Sequence, residues 1–459
     1  MNQIKKINYL KLKNIILFIL LGIWILIPIL KEIKITSVFI AHNEYNYMKI
    51  LATIGIYLII FDMYKKIKSS ENRKNLIKEL LPIFILLIYL IWTLISAIFA
   101  KNKYFAFFGT SYRKDGFITY LIYAGFFACA FLLDSKKMQK YLLNIFILVG
   151  CFTIIFIEMA NNRFLYNIFN FNDIEKAVFS NSNHYGYYLL LVLVTTAILF
   201  ITEKKKVNKS LYLVSYIFIM YYFIKNNTFG CYIAFAVMII IYFSYSIYIK
   251  KDITSSVVCL VIFIIMSFVV QINGQSIVAK NVRVLFSDIG KILNIDISKN
   301  NISSEGAIDK NLNSDEIENN NLDNIDSGWE KAGSGRAELW KYGIQLFLEK
   351  PILGYGPENL EQEYARFNID QDRPHNLIIQ LATTSGIIGL LLYCTSIGII
   401  IIRGIKKIRE KESIGKVVLF VVIAYLISAM FGNSMYYTSP YFFIFLGWLM
   451  KDNIRDKYI

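Results

Sequence analysis

His375 has the setting best suited to chemistry among the three histidines of the chain. It lies within residues 372–376 (Asp-Arg-Pro-His-Asn), just before a long apolar run that begins at Leu377. Because proline is favoured in the first turn of a helix, the sequence predicts His375 at the N-terminal end of a membrane helix. The dipole of that helix disfavours a charged imidazolium, so the ring is expected to stay neutral and able to accept a proton.

Positive charge next to His375 predicts a site for an anion. The free backbone N–H groups at a helix start can hold a phosphate. Arg366 and Arg373 lie within a few residues and can supply charge-assisted hydrogen bonds to it. Asn376 follows His375 directly and belongs to the same candidate binding site. The alternative is that His375 is a structural residue at the membrane interface.

Two other segments carry candidate binding residues. Arg113, with Lys114, precedes an apolar run on the side where few basic residues are expected, which indicates an external anionic partner. Lipid headgroups are the alternative partner. Asn181 and Asn183 precede another apolar run and could bind sugar hydroxyls, although a plain asparagine-rich turn is the simpler interpretation.

The elements that must position these residues are membrane helices. Of 459 residues, 56% are hydrophobic and 18% are charged, whereas soluble domains average about 25% charged residues. Apolar runs long enough to cross the hydrocarbon core as helices recur along the chain. The sequence predicts an all-α, polytopic transmembrane bundle of about twelve spans. The predicted spans are 14–31, 47–64, 80–99, 117–133, 141–159, 186–202, 210–224, 229–249, 254–271, 376–402, 416–431 and 435–450.

Basic residues set the predicted orientation. With a cytoplasmic N-terminus, the short inside segments hold more than half of the 49 Lys and Arg residues, as the positive-inside rule requires. Both termini are then cytoplasmic. The chain divides into a nine-span region, 1–271, an extracytoplasmic loop, 272–375, and a three-span region, 376–459. The net charge of +16 is spread over these short loops rather than one surface, so no nucleic-acid partner is expected.

The outside loop changes character along its length. Residues 295–327 are rich in Asn, Asp, Ser and Glu and are expected to be flexible, whereas 333–375 are expected to be structured. A helix should begin near Arg336 and end before Pro351, lying either on the outer leaflet or against the spans. The glycines of 354–357 predict a plain surface turn. Ala382, Gly386 and Gly389 predict close packing between helices.

The motifs of soluble enzymes do not occur in the sequence. It has no Walker loop, dinucleotide fingerprint or zinc-ligand spacing, so neither a cofactor nor a metal is expected. The five cysteines lie in apolar runs without paired spacing and are expected to be small core residues. The interiors of the predicted spans lack ionisable residues, since Asp62 and Glu158 lie at span ends, and this disfavours an ion-coupled transporter.

The candidate residues together resemble the O-antigen ligase and polymerase superfamily. His375-Asn376, nine residues and then Gly386-Ile-Ile-Gly389 resemble its His-[Asn/Ser/Gln]-x9-Gly-x-x-Gly signature. Arg336-Ala-Glu-Leu-Trp340 and the 351–357 segment are similar to its Arg-x-x-x-Trp and Pro-x-x-Gly-x-Gly-Pro elements. Asn181-Ser-Asn183 resembles its Asn-Pro-Asn loop, with Ser182 in place of the proline, and Arg113-Lys-Asp-Gly116 resembles its Arg-x-x-Gly element.

The resemblance implies a GT-C-like membrane glycosyltransferase that acts at the outer membrane face without ATP or a metal. Its donor would be a glycan linked to a polyprenyl pyrophosphate, and its acceptor would be a glycan or glycolipid. Membrane lipids would be further partners, because they surround the protein. His375 would then be the catalytic base. Arg336, with Arg373 or Arg366, would stabilise the departing pyrophosphate.

Two other classes of function compete with this interpretation. One is a flippase or exporter of lipid-linked sugar or polysaccharide, which predicts charged spans and an internal repeat. The other is a non-catalytic membrane scaffold, which gives no reason for a cluster of Arg and His at the outer surface. The sequence does not distinguish a ligase from a polymerase.

Overall fold

The computed structural model describes residues 2–32, 44–69, 73–161, 179, 181–272, 274–277, 336–408, 413–432 and 435–454. One small antiparallel hairpin pairs β1 (Gln271–Ile272) with β2 (Gln275–Ser276). The helices are α1 (Asn2–Glu32), α2 (Glu44–Ser69), α3 (Arg73–Ile98), α4 (Lys103–Phe108), α5 (Phe117–Leu132), α6 (Lys136–Asn161), α7 (Ser182–Thr202), α8 (Lys206–Lys225), α9 (Phe229–Ile249), α10 (Ile253–Val269), α11 (Arg336–Glu349), α12 (Glu361–Ala365), α13 (Leu377–Lys406), α14 (Ser413–Ser428) and α15 (Ser439–Asn453).

The predicted helical membrane architecture is confirmed. In the described ranges, nine helices are long and apolar enough to cross a membrane. Helices α5 and α10 are apolar but shorter, and α15 covers much of the last predicted span. The total of about twelve spans therefore stays a prediction. The segment 295–327, predicted to be flexible, lies outside the described residues.

Helix α7 forms the centre of the bundle. It packs against α6, α8 and α14, and 18 of its 21 residues are buried. A helix that is apolar on all sides is stable only when neighbours surround it. Its two central threonines lose no hydrogen bonds there, because the hydroxyls of Thr195 and Thr196 donate to the carbonyls of Leu191 and Val192 at 2.8 Å. The N-terminal end of α7 is thereby fixed in position.

Helix α13 is interrupted at Gly386. The backbone there has φ 66° and ψ −174°, which lie outside the helical region. A Cβ at this position would overlap the backbone of Ile352, so only glycine fits. The sequence predicted that Ala382, Gly386 and Gly389 allow two helices to pack closely. At Gly386 that prediction is wrong, because the residue admits the backbone of the 350–357 segment instead.

The 350–357 segment satisfies the backbone groups that this break exposes. The N–H of Tyr355 donates to the carbonyl of Thr383 at 2.8 Å, and the N–H of Gly356 donates to that of Thr384 at 2.9 Å. The Ser96 hydroxyl of α3 also donates to Thr384 O, at 2.8 Å. A membrane interior supplies no water for such groups, so a broken helix needs protein donors. The expected plain surface turn is therefore wrong, since the segment is built into the bundle.

Helix α11 packs on the start of α13, which is the alternative to the position on the outer leaflet that its apolar face suggested. A Cβ on Gly343 would lie 2.7 Å from Ile379 Cγ2, so the two helices are in close contact. The Tyr364 hydroxyl of α12 donates to Leu339 O of α11 at 3.0 Å. These contacts place Arg336, the first residue of α11, near the beginning of α13.

Ion pairs join the segments predicted to be cytoplasmic. Lys13 Nζ lies 2.8 Å from Asp134 Oδ2, and Lys451 pairs with the other oxygen of the same carboxylate. Lys140 Nζ lies 2.8 Å from Glu203 Oε2. The start of α1, the α5–α6 and α7–α8 connections and the end of α15 therefore share one end of the bundle. The other end of the bundle, opposite these ion pairs, carries the Arg113 loop, the start of α7 and the start of α13.

The ion-paired end is predicted to be cytoplasmic. In a variant whose five native cysteines are serine, Ala365→Cys should react with a membrane-impermeant maleimide in intact cells, because Ala365 is exposed on α12. Lys205→Cys, exposed at the start of α8, should react only after the cells are opened. Labelling of Lys205→Cys alone in intact cells would reverse the orientation.

Candidate active site

A polar cavity of about 400 Å³ lies between the start of α7, the loop after α4, the start of α11 and the start of α13. Five of the residues predicted from the sequence line it. They are Arg113, Asn181, Asn183, Arg336 and His375. Residues from four separate parts of the chain thus line the same cavity. The order of the motifs along the sequence does not by itself predict this.

The backbone at His375 is held in a left-handed conformation. Its φ is 51°, which costs a non-glycine residue free energy unless the surroundings fix it. The next residue, Asn376, caps α13, and its side-chain oxygen accepts from the N–H groups of Ile378 and Ile379 at 3.0 and 3.2 Å. His375 therefore precedes the helix and does not lie within its first turn.

The cap on α13 changes the predicted anion site. The sequence predicted that free N–H groups at this helix start hold a phosphate, but Asn376 already occupies two of them. Its amide nitrogen donates to Met430 O at 3.2 Å. The contacts of Asn376 thus give it a structural role at the helix start, instead of the predicted contact with substrate.

His375 is neutral in the folded protein. Burial and the nearby Arg336 guanidinium lower the pKa of His375 from its usual value of 6.5 to about 4. Both act in this direction because each penalises the charged imidazolium. The sequence predicted a neutral ring but attributed it to the helix dipole. The structure assigns the effect to burial and to a cation from another helix.

Arg336 and Arg113 bring two guanidiniums to the cavity, and they differ in how far they are neutralised. Arg113 binds Asp372 through two parallel hydrogen bonds, Nε to Oδ2 at 2.7 Å and Nη2 to Oδ1 at 2.9 Å. Within the described part of the chain, no carboxylate pairs with Arg336. Among the described residues of the cavity wall, Arg336 is therefore a guanidinium without an ion-paired carboxylate, although Glu338 of α11 lines the same cavity.

Arg373 does not line the cavity, although the sequence predicted that it binds substrate. It is 2% exposed. Its guanidinium lies 3.3 Å from Asp115 Oδ2 and 3.2 Å from Asp372 Oδ2, and it also pairs with Glu358. Three carboxylates neutralise the charge, so the contacts of Arg373 are structural. The sequence could not show this, because Asp115 is far from Arg373 along the chain.

Arg366 lies away from the cavity as well. It is exposed on the far side of α12, and its Nη1 atom lies 2.9 Å from Glu349 Oε2 and 2.8 Å from Glu363 Oε2. These two ion pairs raise the pKa of Arg366 above its usual value. The geometry gives no support to its predicted contact with substrate.

The Asp372 carboxylate joins the buried charges to the cavity. Burial alone would raise its pKa, but the guanidiniums of Arg373 and Arg113 outweigh burial and hold the pKa of Asp372 below its usual range. One carboxylate thus contacts the buried Arg373 on one side and the cavity residue Arg113 on the other. This arrangement fixes the position of the Arg113 fork.

The start of α7 contributes a neutral part of the wall. Asn181 caps this helix, and its side-chain oxygen accepts from the Asn183 N–H at 2.8 Å. The following residue, His184, also lines the cavity, and it was not among the residues predicted from the sequence. Its position directly after the Asn-Ser-Asn segment was the available signal.

Residues 178–394 match the family model described as O-Antigen ligase. This match covers a little under half of the chain and supports the resemblance to the O-antigen ligase superfamily. No curated protein matches the chain. The O-antigen ligase region includes Asn181, Arg336 and His375, whereas Arg113 lies before it. The match suggests a membrane glycan transferase of the ligase or polymerase type.

The buried position of Arg373 predicts a folding defect when its guanidinium is removed. Arg373→Ala leaves buried carboxylates without their cation, which should cost about 3–5 kcal/mol of unfolding free energy. SDS-induced unfolding in mixed micelles measures this loss. Arg366→Ala is the matched control and should change stability little, because the Arg366 side chain is about half exposed to solvent. A stable Arg373→Ala protein that no longer binds the lipid-linked donor would restore the predicted phosphate contact.

Proposed function

We propose that this protein transfers a glycan from a polyprenyl-pyrophosphate carrier to an acceptor hydroxyl at the outer face of the membrane. The observation that carries the proposal is the pairing of a neutral histidine, His375, with the guanidinium of Arg336 in one cavity. The family match suggests the class of reaction. The orientation comes from the distribution of basic residues along the chain.

The proposed reaction exchanges one bond to the anomeric carbon. The acceptor oxygen forms a bond to this carbon and gives its proton to the His375 ring. The bond from the same carbon to the phosphate oxygen breaks, and the electron pair leaves with the polyprenyl pyrophosphate. His375 suits the first part because its ring is neutral at physiological pH.

The two guanidiniums suit the leaving group. Negative charge grows on the pyrophosphate as the bond breaks, and fixed donors that await this charge lower the barrier. Arg336 can give two parallel hydrogen bonds to phosphate oxygens, since none of its N–H groups is taken by a described carboxylate. Arg113 presents its remaining N–H groups beside it, held in place by Asp372.

A second cavity suits the carrier chain. It has a volume of about 230 Å³ and is lined by apolar side chains of α2, α3 and α5, among them Ile59, Leu86 and Phe127. Gln380 of α13 also lines this cavity and donates to Asp115, a partner of Arg373. The apolar cavity thus lies next to the charged residues that support the polar one. A polyprenyl chain is an occupant of matching polarity.

The roles of the two principal residues can be separated by substitution. Arg336→Lys should reduce transfer roughly a hundredfold, because an ammonium cannot contact two phosphate oxygens in one plane. His375→Ala should reduce transfer by about 10² to 10⁴ while sparing donor binding, because a base acts on the acceptor. The measurements are transfer of purified lipid-linked glycan and binding of undecaprenyl pyrophosphate.

Arg403→Lys is the matched control for these variants. Its guanidinium donates to Glu79 O and Lys78 O at 2.8 and 2.9 Å, near the ion-paired end of the bundle, so transfer should match wild type. Wild-type turnover in His375→Ala would remove this base from the mechanism. Equal loss of donor binding in His375→Ala and Arg336→Ala would make His375 a phosphate ligand instead.

The rate of transfer should be insensitive to pH where an ordinary histidine titrates. The pKa of His375 is lowered from its usual value of 6.5 to about 4. The ring therefore stays neutral, and able to accept a proton, at pH values well below 6.5. We expect kcat/KM for the donor to stay constant from about pH 5 to pH 7 and to fall only at more acidic pH. A decline centred near 6.5 would show that His375 is not held as the structure indicates.

A further inference from the structure

His184 is a second histidine of the polar cavity, and the mechanism above does not use it. It lies in the first turn of α7 and is 4% exposed, with its accessible part on the cavity wall. A buried polar ring at a reaction site needs partners for both nitrogens. The partners of one nitrogen can be identified from the described residues.

A chain of hydrogen bonds fixes the position of the ring proton. His184 Nδ1 lies 2.6 Å from the Tyr437 hydroxyl oxygen, and that hydroxyl lies 3.1 Å from the carbonyl oxygen of Phe179. A carbonyl can only accept, and Tyr437 donates its hydroxyl proton to Phe179 O. With that proton placed, we assign the donor role in the contact with Tyr437 to Nδ1 of His184, which leaves the lone pair on Nε2.

The lone pair on Nε2 determines which ligand groups can form a hydrogen bond with His184, because an unprotonated nitrogen can only accept. A pyrophosphate oxygen carries lone pairs and negative charge but no proton, so it would be repelled by Nε2. A sugar hydroxyl has a proton to donate and fits this nitrogen. His184 is therefore suited to a carbohydrate and unsuited to the phosphate groups of the donor.

The neighbours of His184 have the same character. Asn181, Asn183 and Tyr187 also come from the start of α7, line the cavity and are neutral. The guanidiniums come from other elements, Arg113 from the loop after α4 and Arg336 from α11. The charged side chains of the cavity wall, the two guanidiniums and the Glu338 carboxylate of α11, therefore lie outside α7, whereas the start of α7 presents neutral polar groups that suit hydroxyls.

We propose that Nε2 of His184 accepts a hydrogen bond from a hydroxyl of the acceptor sugar that does not react, and so holds this sugar for attack. His375 then takes the proton of the reacting hydroxyl. This assignment rests on the proposed function and places the acceptor site at the start of α7. Tyr437 acts through His184 as a positioning residue, because it fixes which nitrogen carries the proton.

Four variants test the assignment. His184→Asn keeps an amide near the position of Nδ1, and thus the contact with Tyr437, but has no group near Nε2. His184→Gln reaches the position of Nε2 with a group that can accept. Tyr437→Phe removes the anchor of the ring. Tyr436→Phe is the matched control, since Tyr436 is the neighbouring buried tyrosine and its hydroxyl donates to Glu44 at 2.9 Å.

The assay uses lipid-linked glycan and acceptor glycan isolated from a host strain that lacks the protein. His184→Asn and Tyr437→Phe should raise KM for the acceptor roughly tenfold, with little change in kcat. His184→Gln should recover part of this loss, and Tyr436→Phe should match wild type. Binding of undecaprenyl pyrophosphate should be the same in all four variants.

The outcomes separate this proposal from the proposed function. A wild-type protein that transfers no glycan would refute the proposed function itself. An active wild type, with an unchanged acceptor KM in His184→Asn, would refute only the assignment of His184. Loss of kcat without a change in KM would make His184 a base, and loss of undecaprenyl pyrophosphate binding would make it part of the donor site. Both results would overturn the proposal.

Discussion

The burial of one positive charge, Arg373, is the constraint on which the candidate active site depends. A guanidinium removed from water costs several kcal/mol unless carboxylates surround it. Here Asp115 comes from the loop before α5, Glu358 from the segment after the glycine turn and Asp372 from the chain entering α13. These three segments must converge on the guanidinium to neutralise it. That arrangement sets the backbone before His375 and, through Asp372, the position of Arg113.

The break in α13 supports the same arrangement from within the bundle. Gly386 admits the 350–357 segment, whose N–H groups satisfy the carbonyls of Thr383 and Thr384. Because unsatisfied backbone groups are costly inside a membrane, the segment cannot withdraw without exposing them. Glu358 follows this segment directly, so its carboxylate is delivered to Arg373 by a backbone that is already fixed. Hydrogen bonding at membrane depth and ion pairing near the surface thus reinforce each other.

The sequence predicted the elements well and their contacts unevenly. Apolar runs give the helices, because length and hydrophobicity are local properties. His375, Arg336 and Arg113 were recognisable from local motifs, and they do line one cavity. Arg366 and Arg373 were equally basic, and both precede His375 within nine residues of the chain. Both differ from Arg336 in that carboxylates neutralise them. One of these carboxylates, Asp115, lies on a distant segment of the chain, so local motifs could not reveal it. Gly386 was ambiguous because a small residue permits both close helix packing and a break.

Donor binding and base strength are coupled through Arg336 under the proposed function. The same guanidinium that is free to bind pyrophosphate also lowers the pKa of His375, together with burial. A weakly basic ring in the empty cavity is a poor general base. When the pyrophosphate binds Arg336, its negative charge offsets the cation, so the pKa of His375 must rise toward its usual value. The ring therefore becomes a stronger base only when a donor is present to react. Because kcat reports the pKa in the bound complex and kcat/KM that of the free protein, the acid limb of kcat should lie at the higher pH.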